Sequence, residues 1–454
     1  MTQHIQKARA TRTACVLATA ALIAGACSRD QLLEVSTPDQ ITPELAGSAV
    51  GANALRISAI GNFAYFYGGD YGGSFHGLSI TSGLLSDEME QARGGTEHID
   101  SRAQNDAVQP LTNTWGSVGQ ANTQLIRAIK ALKQFAPEMT QADKDLKATQ
   151  IGTLYALRGF VLLLVGETYC NGVPIADAND ADPHTDVLSN AQLWDRALGQ
   201  FDTAATTLGN TTADAPIKTL IAIGRGRAYL DQAKFPEAAA AVASVPTSYV
   251  YNVFYSQALE NAVWGWMNGT LNYAPADREG GNGLAFISAN DPRVTVRRNT
   301  DGTPTPRAGQ DGRIHFTQTV FPLATTPIAL ATGIEARLIE AEAALRAGNT
   351  VTFLTKINDA RATRTDLPAL TLPATQTAQE NLLFSERAFW FWGTSHRLGD
   401  LRRLIRQYNR QREAVYPTGP YFAGGTYGTD IALLPAQTEK NNKAFENGCA
   451  NQNP

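Results

Sequence analysis

The stretch IKTLIAIGRGRAYLDQAKFPEAAAAVA, Ile217–Ala243, decides the fold. Small Gly226 and large Tyr229 stand three apart on a first helical run, and Phe235 and small Ala238 stand three apart on a second, with a short turn between. That order of small, large, aromatic and small residues lets two antiparallel helices interlock, so the segment predicts a helix–turn–helix repeat unit.

Working outward, Thr332–Ala362 repeats the idea with Ala341 and Ala344, a turn at Gly348, then Ile357 and Ala360. Both units have the look of loose tetratricopeptide hairpins, and such hairpins stack because one alone cannot bury its apolar face. Leu193–Leu208 is amphipathic, with Leu193, Trp194, Ala197, Leu198, Phe201, Ala204 and Leu208 on one side. Helices are also predicted over Trp115–Phe135 and Ala142–Thr168, the second apolar nearly all round from Leu157 and therefore buried on several sides. A helical end-piece spans Thr377–Gln411. The fold class is mainly α, a tetratricopeptide-like hairpin scaffold. Val245–Gly333 departs from it, being rich in aromatics, Gly, Asn, Asp and Pro with only short β-like runs. A long ordered insertion without a core of its own is a place for recognition.

The N-terminus reads as a targeting segment. Lys7, Arg9 and Arg12 precede an apolar, Ala-rich run, Cys15–Ala24, too short to span a bilayer, and Ala24–Cys27 follows as a cleavage site. Two readings stay open there: a lipobox with Cys27 lipidated, or an ordinary cleavage site before a cysteine. Lipidation is favoured because cysteine is scarce. Residues 1–26 are then a signal peptide and 27–42 a tether. If Cys27 carries lipid, Cys170 and Cys449 remain as a pair for a disulfide in an oxidising compartment, the alternative being two free thiols. Without Lys7, Arg9 and Arg12 the 38 basic residues fall to 35 against 42 acidic, near −7. No basic stripe for a nucleic-acid backbone is present.

Sites of chemistry are weak in the sequence. The loop Gly72–His76 lacks the strand setting and final glycine of a nucleophile elbow, so no catalytic residue is assigned. His76, His98, His184, His315 and His396 are scattered, so neither a metal site nor a cofactor is expected. Asp87, Glu88 and Glu90, with Glu97 and Asp100, form a dense acidic cluster. A run of carboxylates does not supply the set separation that glycoside hydrolysis needs, nor the central glycine of a calcium loop. The expected reading is a solvated turn. Arg397, Asp400, Arg402 and Arg403 are expected to form structural ion pairs rather than an anion site. Aromatic residues carry the binding expectation: Tyr65, Tyr67, Tyr71 and Phe75 in one Gly-rich loop, and Tyr249, Tyr251, Tyr255, Trp264, Trp266 and Tyr273 in the insertion. Flat rings suit sugar faces. Tyr67, Tyr71, Trp264, Trp266 and Tyr273 are the candidate ligand contacts. Trp264 and Trp266, two apart, would share one side if the chain there is extended.

Several segments, in order, resemble the SusD/RagB family of nutrient-binding outer-membrane lipoproteins: Trp115 with Asn122, Leu157-Arg158 running on to Asn171–Ile175, Arg337–Gly348 with Ile357–Arg361, Ser385–Trp392 with His396–Arg403, and Leu434-Pro435 with Glu439. The resemblance covers most of the mature chain. It implies a single SusD-like domain over 43–454, with helical repeats at about 115–245 and 332–411 and a ligand-binding insertion at about 246–331. It also implies lipid anchoring at the outer membrane, facing the exterior, and docking on a SusC-like TonB-dependent transporter that receives a glycan or other oligomeric nutrient. Two other functions remain open, a surface-attached glycoside hydrolase and a protein-binding helical-repeat scaffold.

Overall fold

Glycine spacing on one helix organises the core. The computed structural model describes residues 48–93, 97–134, 140–176 and 185–454. Cys27 and the leader before it lie outside the described residues. Helix α1 spans Ala49–Gly68, α2 Gly77–Leu85, strand β1 Met89–Gln91, α3 Glu97–Asp100, α4 Gln109–Gln134 and α5 Gln141–Thr168. On α5, Gly152, Gly159 and Gly166 recur every seven residues, close to two turns, and so line one face. Helix α6, Asn190–Thr207, packs against that face. A Cβ at Gly152 would stand 2.5 Å from Leu208, at Gly159 2.5 Å from Phe201 and at Gly166 2.6 Å from Trp194. The three glycines therefore set how closely the two helices approach. Helix α5 is long and apolar enough to cross a membrane by length and composition, but its residues Phe160–Val165 are buried within the protein.

Helices α7, Ala215–Asp231, and α8, Phe235–Val242, form the hairpin read from Ile217–Ala243. A Cβ on Gly226 would come within 2.5 Å of Val242, which explains the small residue there, and Ala238 is fully buried opposite. Helices α10, Gly333–Arg346, and α11, Thr350–Arg361, form the second hairpin. The hydroxyl of Thr332 accepts from the Glu335 N–H at 3.1 Å and Asn349 Oδ1 from the Thr352 N–H at 3.0 Å, capping both helices. Leu338, Phe353, Ile357, Phe384 and Tyr408 share a core with α12, Gln376–Trp390, and α13, Arg397–Tyr408.

The C-terminal motif holds itself together by buried charge. Arg387 and Arg403 both donate to Asp400, at 2.7 and 2.9 Å, while Arg403 also pairs with Glu342 at 2.5 and 3.0 Å. Removing one member of such a pair strands the other, at about 3–5 kcal/mol. The acidic cluster is not the solvated turn expected from the sequence: Asp87, Glu88 and Asp100 are fully buried. Asp87 receives Arg397 at 2.6 and 2.8 Å, and Glu88 Oε1 accepts from the Gly393 N–H at 3.0 Å. Burial pushes Glu88 up to about 8. The run faces inward because Arg397 and the turn at Gly393 supply partners that a sequence window cannot show.

Motif residues far apart in the chain meet. Trp115 Nε1 donates to Glu439 at 2.8 Å, and Arg158 Nε to Asn122 at 3.1 Å. Cys170 and Cys449 are joined in a disulfide, with Cα atoms 6.0 Å apart. After α5, β2 (Val173–Ala176) pairs antiparallel with β3 (Thr185–Leu188), and between α8 and α10 the chain runs irregularly, through β4 (Val250–Val253), α9 (Ala262–Trp264), β5 (Tyr273–Pro275), β6 (Pro306–Ala308), β7 (Ile314–Phe316) and β8 (Ile328–Thr332). Its strands make only two-stranded antiparallel ladders, β1–β5, β4–β8 and β6–β7.

Candidate functional site

The loop between α1 and α2 is shaped to present one ring. Gly69, at φ +82°, begins it; a Cβ there would stand 2.6 Å from two backbone carbonyls. Asp70 and Phe75 exchange backbone hydrogen bonds at 3.0 and 2.8 Å, closing the loop on itself. The Tyr71 N–H donates to the Glu260 carbonyl at 3.1 Å, and the Glu260 N–H donates to Asp70 Oδ1 at 3.0 Å. These bonds fasten the Gly/Tyr loop to the insertion.

On the insertion side, Asn261 Oδ1 caps α9 by accepting from the Trp264 N–H at 3.2 Å. The helix then widens into a π-turn, Gly265–Gly269, closed by the Thr270 N–H on the Gly265 carbonyl at 3.1 Å. Such turns re-aim side chains and occur often at functional sites. Here Trp264 and Trp266 both meet Tyr71 edge-on, at 5.9 and 5.3 Å with interplanar angles of 84°. Gly265 makes this possible, because a Cβ there would lie 2.0 Å from Tyr71 Cγ. Trp266 stacks on His76 at 4.8 Å and 10°. Burial pushes His76 down to about 4, so its ring is neutral. Trp266 Nε1 and His76 Nδ1 have no hydrogen-bond partner. Tyr71, Trp264 and Trp266 are half-buried, with Gly72–Ser74 exposed beside them. Asp70 and Glu260, also half-buried, are the carboxylates next to Tyr71.

The structure corrects three sequence expectations. Trp264 and Trp266 are helical, not extended; they share a neighbour because the π-turn and Gly265 bring Tyr71 between them. Tyr67 is fully buried, its hydroxyl within 2.8 and 2.9 Å of the Ala329 and Thr394 carbonyls, so it is a core residue. Tyr273 is also buried, supporting Trp266 and His76 from below at 6.4 and 5.6 Å. Of the five candidates, Tyr71, Trp264 and Trp266 are brought together and are half-buried. Tyr65 and Phe75 stack on each other at 4.0 Å, and Tyr255 is buried with its hydroxyl on the Ala64 carbonyl.

Two features escaped sequence reading. An apolar groove of about 300 Å³ runs between α1 and β4, lined by Ile60, Phe63, Leu157, Tyr251, Phe254 and Leu259. Phe254 on its rim is 72% exposed. The second feature is an aromatic hairpin, bridged between Pro420 and Thr426, in which Arg313 lies 3.8 Å over the Phe422 ring. The tail's Gly, Tyr and Pro content was the available signal for the hairpin.

No protein-family model and no curated protein matches the sequence. Solved structures do match the fold. A SusD superfamily protein from Bacteroides thetaiotaomicron superposes with a TM-score of 0.62 over 90% of this chain and 100% of its own, at 15% identity. The fold is SusD-like. A SusD/RagB family protein from the same organism gives 0.59 at 12% identity, covering 86% and 94%. A SusD-like carbohydrate-binding protein from Bacteroides vulgatus gives 0.58 at 13%, covering 78% and 83%. In the SusD-like frame described here, the hairpins supply the rigid scaffold and the Tyr71 loop with the insertion supplies the open aromatic edge. The pairs Trp115–Glu439 and Asn122–Arg158 clamp separate parts of that frame.

Proposed function

We propose that the chain is a member of the SusD/RagB family that binds an oligosaccharide on Tyr71, Trp264 and Trp266. In this reading it is held at the outer membrane by lipid on Cys27, faces the exterior, and hands its ligand to a SusC-like TonB-dependent transporter. The observation that carries the reading is the ring cluster itself. Three half-buried aromatics are locked by Gly265 beside two carboxylates, Asp70 and Glu260, able to accept sugar hydroxyls. Sugars present apolar ring faces and hydroxyl edges, and this combination meets both. The fold supports the reading, since a protein of the same fold is described as carbohydrate-binding. The hydrolase alternative loses its acids, because Asp87 and Glu88 are tied into the core.

The test is a titration of the mature protein with a panel of neutral oligosaccharides: maltohexaose, cellohexaose, xylohexaose and mannohexaose. Tyr71→Ala and Trp266→Ala should each weaken the binder found by about 1–3 kcal/mol, as loss of an aromatic hot spot does, while the far-ultraviolet circular dichroism stays native. Undiminished affinity in both variants would move the site elsewhere.

A further inference from the structure

Beneath the Pro420–Thr426 hairpin two carboxyl groups meet, neither of them in a salt bridge among the described residues. Asp100 ends α3, and Glu279 opens a 3-10 turn; both are buried. Asp100 Oδ2 accepts from the Gln91 N–H at 2.8 Å and from the Tyr421 hydroxyl at 2.9 Å. Glu279 Oε1 accepts from the Tyr427 hydroxyl at 2.9 Å. The remaining oxygens, Asp100 Oδ1 and Glu279 Oε2, have no partner, and the two carboxyls lie within hydrogen-bond reach of each other.

Other charged groups lie nearby. Glu90, on β1, is the third carboxylate; it is held by His315 Nδ1 at 2.6 Å, and His315 Nε2 reaches Asp311, itself paired with Arg313. Arg102 donates from Nε to the Asp430 carbonyl and from Nη1 to the Pro417 carbonyl and Glu413, while its buried Nη2 has no partner. Two buried ionised carboxylates without an ion-pair partner repel, so one proton between them is the low-energy arrangement. Burial raises Asp100 to about 7 and Glu279 well above its ordinary range.

The pair is one ladder step from the aromatic site. Gln91, whose N–H donates to Asp100, stands opposite Tyr273 in the β1–β5 ladder, and Tyr273 packs on Trp266 and His76. We propose that Asp100 and Glu279 share one proton, and that losing it to solvent lets the carboxylates separate, loosens the Tyr421–Tyr427 hairpin and shifts Tyr273 under Trp266. The aromatic site then holds ligand in mildly acidic medium and releases it in mildly alkaline medium. The ligand half of this inference rests on the proposed function; the proton half does not.

The sign is fixed by the direction of both shifts. The folded state binds the proton more tightly than the unfolded one, so stability is full below the ordinary carboxylate range, around pH 4, and falls as pH rises through about 7. The experiment follows near-ultraviolet circular dichroism of the full mature chain from about pH 5 to about pH 9, beside Asp100→Asn, Glu279→Gln and Glu88→Gln. The parent should show a transition near or above neutrality. Asp100→Asn, which keeps a donor toward Glu279, should abolish it or move it by more than about one pH unit, and Glu88→Gln should leave it in place. An unmoved transition in both Asp100→Asn and Glu279→Gln overturns the proposal. Should those variants not fold, hydrogen exchange on the parent decides. Protection of 273–275 and 420–427 falling together across the transition supports the linkage, and flat protection refutes it. The oligosaccharide panel separates the two halves. Affinity falling by up to about tenfold per pH unit across the transition, the limit for one linked proton, supports both. A transition with no oligosaccharide bound at any pH supports the shared proton and sinks the proposed function.

Discussion

Replacing Gly265 by Ala is the sharpest probe of the aromatic site. A Cβ built there lies 2.0 Å from Tyr71 Cγ, 2.3 Å from its Cδ2 and 2.4 Å from its Cβ, so the ring must leave. Tyr71 makes two edge-on contacts, each worth about 0.5–1.5 kcal/mol, so roughly 1–3 kcal/mol of local ordering is forfeited. Overpacking costs a similar ~1–3 kcal/mol where the site cannot yield. The loop is partly exposed and yields, so the change in global stability should sit at the low end. At ~2.1 cal/mol/K per residue, a fold of this size moves its melting temperature by only roughly 1 °C per kcal/mol. Melting is therefore a poor assay. Near-ultraviolet circular dichroism and oligosaccharide titration are better, since Tyr71 lies against both tryptophans. The expected result is a changed aromatic spectrum and binding weakened about fivefold or more, with native far-ultraviolet signal. An unaltered spectrum with full affinity would show that Tyr71 does not occupy the place assigned to it.

Three further outcomes are expected. Asp400→Asn should cost about 3–5 kcal/mol in urea unfolding, because Arg387 and Arg403 lose their shared anion; those guanidinium groups hold Asp400 far below the usual carboxylate range, so its contribution is complete above about pH 4 and is lost as pH falls below it. Glu88→Gln should stabilise the protein increasingly as pH rises from about 4.5 through about 8 and change nothing below that window, since the buried acid resists ionising; equal stability at about pH 9 would contradict the burial. Reducing Cys170–Cys449, or replacing both by Ala, should cost about 2–5 kcal/mol, measured by urea unfolding with and without reductant.

The hairpin scaffold was legible because its signals are periodic and local. Gly226, Tyr229, Phe235 and Ala238 place α7 and α8 without knowledge of any other part of the chain, and Ala341 with Ile357 does the same for α10 and α11. The seven-residue glycine series on α5 was equally available in the sequence, and its meaning became plain only once Leu208, Phe201 and Trp194 stood against it. The aromatic site was half legible. The Gly-rich loop and the aromatic insertion were the expected places for binding, and the structure sets Tyr71 against Trp266, but nothing local distinguishes Tyr67 in the core from Tyr71 at the edge. The acidic run was misread for the same reason: Arg397 lies 310 residues from Asp87, and a carboxylate's fate depends on that distant partner.

The tail's attachment to the end of α5 orders events in time. The Leu433 N–H donates to the Thr168 carbonyl at 2.8 Å, the Cys170 N–H to the Leu433 carbonyl at 3.0 Å, and the Asn171 N–H to the Asn451 carbonyl at 2.8 Å. Until those residues are made, the end of α5 has open peptide groups and an unpaired thiol. At ~5–20 residues per second of synthesis, the 279 residues separating Cys170 from Cys449 take on the order of tens of seconds to emerge. The contacts around the end of α5 therefore close last. That end of the core stays open throughout the interval.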